Sequence, residues 1–173
     1  RCRRSRRLRR RTRSMPNREA RDPDEAKTLA DIEEYGCHIL YVLEDDEHPP
    51  FAYSVGIEYN FKAPELVVIG LKPELSQTII NEYCRRVRSG ERFKVGERAS
   101  GFLGGGFDCQ FVAVHPAHYP EYFGWDLWFY NGPVFRILQL IFPTTSGVWP
   151  WDAEAAEWFC KRQPLLDQPP WPT

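Results

Sequence analysis

The run Glu65-Leu-Val-Val-Ile-Gly-Leu71 constrains this chain more than any other segment. Its apolar residues are consecutive, not alternating, so a strand here is covered on both faces. Directly after it, Leu75, Ile79, Ile80, Tyr83, Cys84 and Val87 recur at helical spacing between Pro73 and Arg88. Pro73 suits a first helical turn, and Arg85, Arg86 and Arg88 sit where cations complement the helix dipole. A buried strand followed by an amphipathic helix requires a sheet with at least one covered face.

The flanking segments fit that kernel. Asp22 caps a helix that Pro23 opens and Gly36 stops. Residues 37–43 (CHILYVL) and 51–57 (FAYSVGI) read as two strands of a hairpin around the acidic turn EDDEHPP. Residues 58–64 read as a loop and 91–97 as a short strand or extended segment. Residues 107–115 and 134–142 read as strands, with an aromatic, partly helical stretch between them. No repeat and no strict strand–helix alternation appears. The expectation is an α+β domain, with a mostly antiparallel sheet of five to six strands packed against one long helix. An N-terminal helix and an aromatic C-terminal loop region complete it.

At 173 residues the chain suffices for one such domain. Its net charge of −1 conceals two opposite parts. Residues 1–21 hold eleven arginines against one acid, Glu19, a charge of +10; the remainder carries −11. Residues 1–21 are expected to be a disordered leader, residues 22–166 the globular domain, and residues 167–173 a proline-rich tail. The leader reads either as a basic arm or transit-type segment, or as non-native sequence preceding a start at Met15. Nucleic acid is an expected partner only if the leader is native. No apolar run approaches the roughly 18 residues of a membrane span. The five cysteines are scattered and odd in number, with no C-x-x-C pair. Free thiols in a reducing, cytoplasmic setting are therefore expected.

Several blocks, taken together, resemble a bacterial family, the domain of unknown function 4262. They are Gly36-Cys37-His38, the acidic turn, Phe51 to Gly56, Pro64 to Val67 with Gly70-Leu71, and Trp128-Phe129-Tyr130 with Val134-Phe135. Leu138-Gln139-Leu140, Trp149-Pro-Trp151-Asp152 and Gln163 to Leu166 complete the set. Cys37 stands where the family pattern leads one to expect an aromatic. The resemblance implies a cytoplasmic bacterial or phage-borne domain and carries over no reaction.

No motif fixes a chemistry. His115-Pro-Ala-His118 has metal-like spacing, but Pro116 disrupts the helix that would align the two rings. The glycine-rich stretch 101–106 lacks the lysine of a phosphate loop and precedes a strand. Cys37 and Ser54 lack known nucleophile signatures, although Ser54 is placed to meet His38, with Asp45 as a third member. No metal site and no cofactor is expected. Gln139, within an apolar strand, needs a partner if buried. Trp151 and Asp152 lie in a loop suited to stacking and hydrogen bonding. The expected function is a binding module whose pocket for a small planar or nucleotide-like ligand is lined by His38, Tyr53, Gln139, Trp151 and Asp152. One alternative is an acidic interaction module, of the immunity or antitoxin kind, with a basic protein partner. The other is a hydrolase using His38 and a carboxylate.

Overall fold

The structure, a computed structural model, describes residues 15–170; the expectations for residues 1–14 and 171–173 lie outside the described residues. Helix α1 (Pro23–Tyr35) begins where Asp22 accepts the Glu25 N–H and ends at Gly36, whose φ of 92° is left-handed. Strands β1 (His38–Val42) and β2 (Phe51–Val55) form the expected hairpin. Then come α2 (Ile57–Phe61), β3 (Glu65–Ile69) and α3 (Pro73–Arg88). Strand β4 (Arg98–Ala99) and β5 (Cys109–Ala113) precede the aromatic helices α4 (Tyr119–Tyr122) and α5 (Gly124–Phe129). Strand β6 (Ile137–Ile141) and α6 (Glu157–Arg162) complete the order.

The domain is α+β. Its six strands form one open sheet in the order β1-β2-β3-β6-β5-β4, antiparallel everywhere except between β3 and β6. Strand β3 lies at the centre and β1 at an edge. Leu66 and Val68 face α3, packing with Ile79, Ile80, Tyr83 and Val87. Val67 and Ile69 face the other way, against Tyr119, Tyr122, Phe123 and Phe129. Each of these four β3 side chains is fully buried, as a consecutive apolar run demands. The long helix is therefore one cover of two. The aromatic segment forms the second, and its rings interlock: Tyr119 stacks on Phe135 at 4.7 Å and Phe123 meets Tyr53 edge-on at 5.3 Å.

Three segments depart from the sequence expectations. The expected loop over residues 58–64 contains α2, a helix held between left-handed Gly56 and Lys62. The pairing expected of residues 91–97 falls instead at Arg98–Ala99. Helix α6 forms where no element was expected, and Arg162 at its end bonds Glu44 and the Gly70 carbonyl. Residues preceding α1 are also anchored. The Asn17 N–H donates to the Phe129 carbonyl at 2.8 Å, and Asn131 donates to the Met15 carbonyl.

Candidate functional site

A groove opens along the free edge of β1, between α1 and α3, with a volume of about 510 Å³. Its geometry follows from the stop at Gly36. The chain reverses there and starts β1 beside the last turns of α1. His38 thereby meets Asp31, and its Nδ1 lies 2.7 Å from Asp31 Oδ2. Lys27, one turn earlier, donates to the same oxygen at 2.7 Å. Burial works against the Asp31 carboxylate, yet Lys27 and His38 hold its pKa below the usual aspartate range. From α3, Gln77, Asn81, Cys84, Arg85 and Arg88 line the opposite wall. Arg88 donates to the Tyr35 carbonyl at 2.5 Å, and the Tyr35 ring at the rim is 57% exposed. The groove thus gathers three cations, two amides and an open aromatic ring around a histidine–aspartate pair.

A second polar cluster lies inside the core. Glu65 opens β3 and is fully buried. Its Oε2 accepts from the Ser54 hydroxyl at 2.6 Å. Its Oε1 accepts from the Gly56 N–H at 2.9 Å, the Glu58 N–H at 3.0 Å and the Tyr130 hydroxyl at 2.5 Å. Ser54 in turn accepts the Leu66 N–H, so one side chain joins β2, α2, β3 and the end of α5. Burial raises the Glu65 pKa to about 7, against the pull of the Ser54 and Tyr130 hydroxyls and the backbone donors. Asp126 is also fully buried, and neither carboxylate oxygen has a hydrogen-bond partner. Burial, reinforced by the charges of Glu65 and Glu58, holds its pKa well above normal and favours the protonated form. Glu58 itself pairs with Arg136 at 3.0 Å.

Gly56 shows how tightly this cluster is built. Its φ is 105°, and a Cβ there would come within 2.8 Å of Ile32. Gly56→Ala is expected to cost about 2 kcal/mol and lower the melting temperature by about 4–8 °C, because the strained backbone also misaims an N–H that Glu65 needs. A thermal melt of the variant checks this.

The five candidate residues do not converge. His38 lines the groove. Tyr53 is buried under the aromatic layer, its hydroxyl accepting the Trp125 N–H at 3.4 Å. Gln139 finds its partners in the main chain: it donates to the Pro164 carbonyl and accepts the Leu166 N–H, pinning the C-terminal segment to the sheet. Asp152 accepts the Trp149 N–H at 2.8 Å and closes its own loop. Trp151 stacks on Trp149, which packs on Val112 and Ile141 at the sheet's end. The Ser54–His38–Asp45 grouping does not form either. His38 lies opposite Val55 and bonds Asp31, Ser54 bonds Glu65, and Asp45 bonds His48.

Sequence reasoning overlooked Asp31, Arg88, Cys84, Glu65, Asp126 and Tyr130. A usable signal existed for Glu65, since a carboxylate opening a doubly covered strand must be partnered. Among the described residues, no three His, Cys, Asp or Glu side chains gather to hold a metal ion, and no helix is long and apolar enough to cross a membrane.

Fold and site together define an α+β domain with a mostly antiparallel sheet, an edge groove and a buried carboxylate network. The chain belongs to the domain of unknown function family DUF4262, whose model matches residues 31–156. That span includes Asp31, His38, Glu65, Arg88, Asp126 and Tyr130. No curated protein and no solved structure matches the chain.

Proposed function

We propose that the protein is a binding module for a small, nucleotide-like ligand carrying a phosphate, and that the ligand sits in the groove between α1, β1 and α3. One observation carries this reading: Lys27, Arg85 and Arg88 share a single hollow with the open Tyr35 ring and the His38–Asp31 pair. Cations in that arrangement suit a phosphate, and guanidinium groups bind its oxygens in paired fashion. The Tyr35 ring offers a face on which a planar base stacks. Gln77 and Asn81 are one helical turn apart and offer donors and acceptors to a base edge. The volume also falls within the range of small-molecule sites. Lys27 pairs with Asp31 and Arg85 with Glu82, both at 2.7 Å, so a phosphate here competes with these carboxylates for the two cations.

Thermal-shift and calorimetric titrations with AMP, ATP and adenosine test the reading. Both phosphorylated nucleotides are expected to stabilise the protein, whereas adenosine is not. Replacing Arg85 and Arg88 together by alanine is expected to weaken AMP binding at least about tenfold, the loss of one charge-assisted hydrogen bond or more. Absence of any shift with AMP and ATP, or a shift that survives the double replacement, overturns it.

The His38–Asp31 contact favours a second reading, hydrolysis of the same ligand. Asp31 would orient the imidazole, and the other ring nitrogen would act as a base toward water. Release of phosphate or nucleoside during the titrations, abolished by His38→Ala, distinguishes hydrolysis from binding alone.

A further inference from the structure

The groove holds a chemical pair that ligand binding does not use. Cys37, at the entry to β1, and Cys84, on the inner face of α3, both line it. They belong to one buried cluster beneath the groove, each residue is 6% exposed, and their thiols push each other's pKa values in opposite directions. The remaining described cysteines are placed differently. Cys109 is fully buried among Phe111 and its neighbours, where burial pushes its thiol up to about 12. Cys160 donates to the Pro150 carbonyl at 3.4 Å, away from the groove.

We propose that Cys37 and Cys84 form a reversible disulfide when a hydroperoxide enters the groove, with Cys84 as the attacking thiol and Cys37 as the resolving one. The roles follow from the surroundings. Cys84 lies one helical turn before Arg88 on the groove wall, and the neighbouring Cys37 thiol and the Arg88 charge hold its pKa below normal, although burial opposes both. Cys37 is driven the other way by the neighbouring Cys84 thiol and by burial. The Cys84 thiolate attacks the peroxide, the O–O bond breaks, and an alcohol (water, from hydrogen peroxide) departs as the sulfenic acid forms. Cys37 then gives up its proton and attacks the Cys84 sulfur, expelling water as the S–S bond closes. Two thiols are oxidised and one peroxide is reduced. The bond joins the edge strand to α3 and requires no ligand in the groove.

Treatment of the full chain with equimolar hydrogen peroxide, followed by intact mass and peptide mapping, tests this. The wild type is expected to lose the mass of two hydrogens, to yield a Cys37–Cys84 linked peptide, and to recover fully with dithiothreitol. Cys37→Ser is expected to gain one oxygen at Cys84, which dimedone captures. Cys84→Ser leaves Cys37 reduced. In the reduced wild type, N-ethylmaleimide is expected to label Cys84 at least about tenfold faster than Cys109. A wild-type protein that keeps both thiols alkylatable after peroxide overturns the proposal. So does oxidation of Cys84 to sulfinic acid without the linked peptide.

Discussion

Glu65→Ala is expected to remove at least about 4 kcal/mol of stability, a large part of the roughly 5–15 kcal/mol that holds a domain of this size together. The magnitude comes from what is left behind. The Ser54 and Tyr130 hydroxyls and the Gly56 and Glu58 N–H groups all donate to this one carboxylate, which is fully buried. Alanine orphans every donor at once and opens a cavity at the start of the central strand. Glu65→Gln separates the two effects. Its oxygen still accepts the three donors that meet Oε1, while its amide faces Ser54, whose own proton loses its acceptor. Its cost is expected to be about 1 kcal/mol, one neutral hydrogen bond. Urea denaturation of the three proteins measures the ordering. Equal losses for the alanine and glutamine variants would show that the donors have other partners.

Asp126→Asn is expected to stabilise the protein, increasingly so as the pH rises. Native Asp126 holds its proton well above the normal range, while the unfolded chain releases it near pH 4. Between those limits the native state binds the extra proton, so stability falls as pH rises, by about 1.4 kcal/mol per pH unit. Its contribution is fully present below the unfolded pKa and is lost by the folded one. Asparagine resembles the protonated acid and has no proton to lose, so this slope disappears. Glu65 keeps a slope of the same sign that ends near pH 7, its raised value. Urea titrations between pH 4.5 and 8 are expected to show the variant and the wild type converging at the acid end. Parallel curves would mean that Asp126 ionises normally in the fold.

Whatever a single local rule governed was legible in the sequence. Helix α3 and strand β3 follow from apolar spacing alone, and α1 from its aspartate cap and terminal glycine. Helix α2 was not legible, because five residues carry no period and two left-handed residues outside it define its ends. The site was harder, since its partners are distant in sequence. Nothing local links Glu65 to Tyr130. The arginines at the end of α3 carry an ordinary reading as dipole partners, and only the placement of α1 turns Arg85 and Arg88 into a wall of the groove. Gln139 drew attention for a sound reason, a polar group in an apolar strand, and its partner proved to be the returning C-terminal chain.

The groove between α1, β1 and α3 is the centre of the functional account. Titration of isotopically labelled protein with AMP, followed residue by residue in the amide spectrum, tests it most directly. Saturable shifts concentrated at Tyr35, His38, Asn81, Cys84 and Arg88 are the predicted result. Saturable shifts confined to residues outside the groove, or a spectrum unchanged at millimolar AMP, would contradict it.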